Sequence, residues 1–380
     1  MKIGILAIAS PDSGGVFQYT ISILEAMKVI TKSSNKYEVI QIRHESFPKI
    51  LDKEYIIKNQ KTPIGLKIRR IIHFFTGIKI GNLAPNVDVD LIISPIITLL
   101  PFFMKRPYIV TIHDFQHKYY PQFFTIKEKI TREIIYRTGK KASLVICESN
   151  YVKQDLVKFL NIDENKIKVL PSPPPSYLQT IEIKKENLLT IREKYDLPEG
   201  YIFYPAQFWY HKNHINLLRA LRYIKDKYNL EIPLILVGSK KNNFERVMKE
   251  IQNLGLSQQV KYLGYVPDED MPYLYKLATA LVMPTLFESV SMPIWEAFHL
   301  GCPVVSSNVC ALPEQVGDAG LIFDPYNIED MAEKIFIIWT NENLRNELIN
   351  KGFKRVKDLT IENYAKEWEK IIEEVKNVVG

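Results

Sequence analysis

Cysteine is scarce in this 380-residue chain: Cys147, Cys302 and Cys310 are its three, with no CxxC pair and no histidine cluster at metal-ligand spacing. That argues against a disulfide-stapled scaffold and a zinc ribbon, and fits a reduced, cytoplasmic setting. Proline, glycine and serine are not in excess, so long disordered stretches are not expected. A long apolar run is missing as well. The opening MKIGILAIAS is interrupted at Pro11 and Asp12 after roughly eight apolar residues, too short for a membrane span and without a signal-cleavage pattern. It reads as a first strand. No internal repeat is present, and the single biased block is PSPPPS at 171–176, with four prolines in six positions.

What is present is the composition of a folded chain: 46% hydrophobic and 24% charged. A chain of this length exceeds what one hydrophobic core usually sustains, so two domains are expected. Each half alternates short β-branched runs with amphipathic stretches, as in DLIISPI, PYIVTIHD and ASLVICES, then GYIFYPA, IPLILVG, ALVMPT and PVVSS. That alternation predicts an α/β protein with parallel sheets covered by helices. PSPPPS removes backbone donors and forbids a helix, which places the linker there. The expected domains are 1–175 and 185–359. Charge divides unevenly: residues 1–180 carry 26 Lys and Arg against 15 Asp and Glu, whereas 181–380 carry 24 against 28. The basic half suits an anionic partner, a membrane surface or phosphorylated acceptor, though surplus surface lysine would look the same. No nucleic-acid partner is expected.

Four places have the residue types for chemistry. Gly14 and Gly15 follow the first strand and open a helix, a turn at which backbone amides can meet phosphate, or simply a turn. His113 and Asp114 end the strand YIVTIHD, where parallel sheets bind ligands; the imidazole can reach a sugar hydroxyl, or the pair can merely fasten the loop. The segment YPAQFWYHKNHINLLRAL sets Lys212 at a strand-to-helix junction, combining an ammonium with a helix N-terminus as a departing diphosphate requires. His214 there suits capping or packing equally. In TLFESVSMPIWEAF, Glu288 lies in a loop and Glu296 seven intervening residues later, with Pro293 in the first helical turn. Glu296 is expected in that turn as well, with the amides of Val290, Ser291 and Met292 facing phosphate; a solvated loop carboxylate and one resting on the helix dipole would be the plainer alternative. The strings Asp88-Val89-Asp90 and Asp268-Glu269-Asp270 imitate a DxD metal site, but their positions favour turn and capping roles.

The collinear order of these segments, with VKYLGYVPDEDMPYLYKLATALVMPT, GCPVVSSNVCALPEQVGDAG and LIFDPYNIEDMAEKI, resembles the GT-B retaining glycosyltransferases over nearly the whole chain. The resemblance implies two Rossmann-like domains with parallel sheets facing across a cleft, and a C-terminal helix of about 360–380 packing back on the first. It implies a retaining transfer of a hexose, mannose by preference, from a nucleotide diphosphate sugar to a glycan or lipid-linked acceptor in surface polysaccharide synthesis, with no cofactor and no metal. A nucleotide-sugar epimerase and a non-catalytic scaffold subunit are the competing readings. Carried over by position, Gly14 and Gly15 lie near the diphosphate, His113 near the transferred sugar, Lys212 on the phosphates, Glu288 on the sugar and Glu296 on the ribose. Gln207 stands where the family commonly has arginine, and Ser289 and Ser291 where it has glycines, which leaves Lys212 as the main side-chain phosphate ligand.

Residues 64–76, IGLKIRRIIHFFT, form one more pattern. Ile64, Ile68, Ile71, Ile72 and Phe75 fall within about a 100° arc of a helix, opposite Arg69, Arg70 and His73. Such a helix suits either a peripheral contact with the anionic inner membrane face or a cover for the sheet.

Overall fold

The computed structural model describes residues 1–11, 14–57, 64–76, 83–175, 177–178 and 181–379, the side chains of 64, 68, 71, 72, 75, 76, 378 and 379 excepted. The chain forms two compact units, Met1–Ser172 with Ile361–Gly380, and Pro173–Thr360. The first crossing between units thus falls inside PSPPPS, where three consecutive prolines follow Ser172.

The first unit holds a seven-stranded sheet of β1 (Lys2–Ala7), β2 (Glu38–His44), β3 (Glu54–Ile57), β4 (Leu91–Ser94), β5 (Tyr108–Thr111), β6 (Leu144–Cys147) and β7 (Ile167–Val169), in the order 3-2-1-4-5-6-7. All recorded pairings are parallel; Ile3 stands beside Val39 on one side and Leu91 on the other. Strands β4, β5 and β6 are buried along their whole length, as expected where helices cover both faces. Side-chain alternation divides the apolar residues between those faces. Ile3, Ile5 and Ala7 join one core with Tyr19, Ile23 and Met27 of the helix Gly15–Ser33, whereas Leu6, Ile42, Val110 and Val145 join the other.

The helix Ile361–Val379 completes this unit. Tyr364, Ala365, Trp368, Ile371, Ile372 and Val375 recur at helical spacing and enter the core of Ile3 and Tyr19. Trp368 is fully buried there. The second unit is a six-stranded parallel sheet of β8 (Ile202–Pro205), β9 (Leu234–Val237), β10 (Val260–Tyr262), β11 (Ala280–Met283), β12 (Val304–Ser307) and β13 (Gly320–Phe323), in the order 10-9-8-11-12-13. In each sheet the strand order reverses once, between β1 and β4 and between β8 and β11, and a crevice opens at the carboxyl ends beside such a reversal.

The helix Ile64–Thr76 forms. Arg70 donates from Nε to the Leu83 carbonyl at 2.7 Å and stacks over Phe103, while His73 is buried against Phe102 and Phe103 of the short helix Leu100–Met104. Two of the three basic residues on the polar arc therefore face protein. Lys67 is exposed, and Arg69 is half-buried with its Nε on Gly65 O. The apolar arc of Ile64, Ile68, Ile71, Ile72 and Phe75 lies outside the described side chains. Among the described residues no helix is long and apolar enough to cross a membrane.

Emptying the Trp368 slot tests the returning helix. Trp368→Ala should destabilise the first unit by about 3–5 kcal/mol, the usual result of truncating a buried tryptophan. Hydrogen exchange is expected to quicken in β1 and β4 while β8 and β11 keep their protection.

Candidate functional site

In the second unit the switch-point strands β8 and β11 each lead through a loop into a helix, His214–Tyr228 and Met292–Leu300. The two loops are fastened to each other. The His211 carbonyl accepts from Leu286 N at 2.7 Å and Thr285 Oγ1 at 3.1 Å. Asn213 adopts the left-handed conformation, φ 58° and ψ 31°, which asparagine tolerates well, and its buried Nδ2 donates to the carbonyls of Pro284 and Pro325. Tyr204 OH donates to the Lys212 carbonyl at 2.7 Å. The backbone that presents Lys212 is thus held from three directions.

The Lys212 ammonium pairs directly with the Glu288 carboxylate, each side chain less than one-fifth exposed. The structure therefore joins two of the residues expected to act. Of the three basic residues His211, Lys212 and His214, only the lysine carries the charge. Burial first, then the Lys212 charge, pushes the pKa values of His211 and His214 down to about 3, so both imidazoles are neutral. His214 is a packing residue, stacked 4.4 Å from Phe208. Gln207 accepts from Nε1 of the partly exposed Trp209 at 2.9 Å.

Glu296 is the fifth residue of its helix, not a first-turn residue, because the loop ends at Ser291 and helical geometry begins at Met292. Its carboxyl is buried beside Tyr275 and Tyr177, both of which donate to it, Tyr177 at 3.5 Å. Burial raises its pKa to about 7, with Asp268 adding in the same direction and the two hydroxyls opposing. The loop amides are not equivalent. Ser291 N already donates to Gln315 Oε1 at 2.8 Å, and Gln315 Nε2 returns a bond to Ser291 O at 2.7 Å. Val290 is partly buried against the core. Met292 is the first helical residue, with Pro293 behind it.

In the first unit, Gly14 has φ 61° and ψ −121°, a backbone conformation that glycine alone adopts without strain. Gly15 opens the helix with nothing within 4 Å of where a Cβ would stand; Asp12 and Ser13 lie outside the described residues. His113 is the second residue past β5. Its Nδ1 is 2.9 Å from Glu148 Oε2 and its Nε2 is 2.9 Å from Pro95 O, so both nitrogens, one of them expected to meet a sugar hydroxyl, already have protein partners. The side chain keeps 17% of its surface.

The acidic strings settle on protein cations and amides. Asp90 accepts from Lys2 N, and Asp88 pairs with Lys2 Nζ. Asp270 occupies an N-cap position without capping through its side chain, which instead accepts from Lys194 Nζ and Tyr195 OH. Among the described residues no group of three or more His, Cys, Asp or Glu side chains is arranged to hold a metal ion. Two participants were not singled out from sequence. Gln315 lies within a quoted segment, ALPEQVGDAG, without a readable partner. Glu148 had a usable signal, a carboxylate directly after the apolar strand LVIC at the ligand-binding edge of a parallel sheet.

The two units also match known families in turn. Residues 14–173 match the model for Glycosyltransferase Family 4, and residues 189–355 the model for Glycosyl transferases group 1. The chain is 29% identical over 267 residues to O-antigen chain mannosyltransferase B of Escherichia coli, covering 70% of this chain and 69% of that protein. It is 25% identical over 211 residues to serotype-specific mannosyltransferase WbdA of Escherichia coli, covering 55% of this chain but 26% of that longer protein. The structure of Anabaena Alr3699/HepE in complex with UDP and glucose aligns with a TM-score of 0.76 over 98% of this chain and all of that one, at 16% identity, which shows a shared fold. With one glycosyltransferase family model on each unit and a GT-B architecture of two Rossmann-like domains, the chain belongs to the group 1, family 4 glycosyltransferases.

Proposed function

We propose that this enzyme is a retaining hexosyltransferase that moves mannose from a nucleotide diphosphate donor to a glycan or lipid-linked acceptor during surface polysaccharide synthesis. The observation that carries the reading is the Lys212–Glu288 pair, fixed between two mutually fastened loops beside the β8–β11 reversal. The relatives named as O-antigen mannosyltransferases support the sugar and the pathway class. Breaking the anomeric bond builds negative charge on the diphosphate and positive charge on the sugar. Lys212, the charged group at the start of a helix, answers the first; Glu288, close by, answers the second or holds a sugar hydroxyl. The incoming diphosphate competes with Glu288 for the ammonium and frees the carboxylate for the sugar. On this reading Lys212 supplies the leaving-group charge without a metal, and Gly14 and Gly15 give the first unit an open amide turn.

Lys212→Ala is expected to lower turnover by on the order of 10²–10³, about 2.7–4 kcal/mol of barrier, with Glu288→Ala comparable. Nucleotide release from a panel of nucleotide sugars, measured in EDTA with and without acceptor, checks this. Near-normal turnover in either variant removes its assignment. A donor returned as its sugar epimer would favour the epimerase, and no turnover with intact donor binding would favour a scaffold subunit.

Glu296 makes donor binding pH-dependent. A carboxylate accepts ribose hydroxyls better when ionised, and its pKa is raised to about 7, so ionisation is complete above that value and lost below it. Donor KM should rise as pH falls from about 8 to 6. In Glu296→Gln it should be higher and flat across that window; an unchanged pH dependence in the variant would place the titration elsewhere.

We also propose that the helix Ile64–Thr76 touches an anionic membrane surface through Lys67 and Arg69, the cations not buried on protein. Lys67→Glu/Arg69→Glu should reduce co-sedimentation with anionic liposomes, each lost cation weakening attachment by roughly 1 kcal/mol. Failure of the unaltered enzyme to sediment with anionic liposomes would remove the membrane from its partners.

A further inference from the structure

Three adjacent strands of the first sheet converge on one imidazole. Pro95 follows β4, His113 lies past β5 and Glu148 follows β6, and each adds one group at the carboxyl edge. The Pro95 carbonyl, 2.9 Å from His113 Nε2, can only accept a hydrogen bond. Glu148 Oε2 stands 2.9 Å from Nδ1, and Oε1 of the same carboxylate accepts from the fully buried Ser172 hydroxyl at 2.7 Å. A neutral imidazole has one N–H and one lone pair, so against two acceptors one contact would set lone pair against lone pair. The doubly protonated ring satisfies both. The Tyr19 ring lies perpendicular to it, 4.8 Å between centroids, and limits its tilt.

The charged and titratable groups around this ring come from several elements. Glu148 is the direct partner, Asp114 is the next residue in the chain, and Tyr19 and Tyr364, from the helices Gly15–Ser33 and Ile361–Val379, both feel the Glu148 charge. Burial alone would lower the His113 pKa; the Glu148 bond and charge, helped by Pro95 and Asp114, more than reverse it and leave it raised.

We propose that Glu148 is a positioning residue that holds His113 as an imidazolium in a fixed plane, so that His113 serves the transfer as a hydrogen-bond donor and fixed positive charge and never as a base. Nε2–H is the donor available, because a substrate oxygen can replace the Pro95 carbonyl, whereas Nδ1–H stays with Glu148. The role in transfer rests on the function proposed above. The protonation state concerns the protein alone.

Ring-¹⁵N-labelled histidine in the full-length enzyme, with the His113 signal assigned by its loss in His113→Gln, reads that state directly. Both nitrogens should remain protonated to a pH above the ordinary histidine midpoint of about 6.5. In Glu148→Gln the midpoint should fall to that value or below, and Glu148→Asp should recover part of the difference. A midpoint at or below about 6.5 in the unaltered enzyme, or one unmoved by Glu148→Gln, overturns the proposal. Should Glu148→Gln fail to fold by circular dichroism, Glu148→Asp decides, an unshifted midpoint counting against. In the transferase assay, Glu148→Gln should lose on the order of 10–100-fold in kcat, the size of loss found when a carboxylate behind a metal-bound imidazole is removed, with a smaller change in donor KM. The alkaline limb of its pH–rate profile should move down with the His113 midpoint, and an unshifted limb also overturns the proposal. The titration needs no donor: a high midpoint in a protein that turns over no nucleotide sugar would sustain the imidazolium and overturn the transfer reading instead.

Discussion

Everything at the candidate site depends on the reversal of strand order between β8 and β11. Parallel strands joined by helical crossovers send successive connections to the same side until the order reverses, and the two loops that leave the reversal part from each other. Polar groups at the ends of two adjacent strands are then free of covering structure. The chain uses that freedom sparingly. It ties the loops together through the His211 carbonyl and the Asn213 amide and leaves Lys212 and Glu288 at the edge. A reversal recurs in the first unit between the neighbouring strands β1 and β4, whose following loops carry Gly14 and Pro95.

Electrostatics then separates residues that look alike in sequence. His211, Lys212 and His214 form a basic cluster on paper, but the low dielectric around the imidazoles removes two of the three charges. His113 is also largely enclosed and takes the opposite course, because a carboxylate and a carbonyl meet its two nitrogens. Glu288 and Glu296 differ in their partners: Glu288 pairs with an ammonium, whereas Glu296 accepts from tyrosine hydroxyls that only partly offset the cost of burying its charge. Burial decides the matter for His211, His214 and Glu296, and at His113 the facing carboxylate outweighs it.

Local features were therefore legible and long-range partners were not. Runs such as LIIS, YIVT and LVIC became strands because β-branched residues without polar interruption have few other uses, and the proline block marked the crossing between units. Lys212 and Glu288 could be singled out from their placement at strand-to-helix junctions. Their direct pairing could not, since it joins residues 76 positions apart. The use of the Ser291 amide by Gln315 depends on the packing of β12 and the helix Leu312–Val316, which no spacing reveals. The helical wheel of residues 64–76 found an apolar and a basic side, but the aromatic pair Phe102 and Phe103, far along the chain, drew Arg70 and His73 inward.

The returning helix has a consequence for how the protein is made. Its tryptophan fills a slot in a unit whose other residues are complete by Ser172. On a ribosome adding about 5–20 residues per second, that slot stays empty for roughly 10–40 seconds while the second unit is synthesised. During that interval the face formed by Ile3, Tyr19 and Met27 lacks its final cover, and the nascent first unit is a natural client for chaperones that bind apolar surface. The second unit, contiguous in sequence, needs nothing made later and can close first. The unit whose synthesis begins first is thus the last to have its sequence complete.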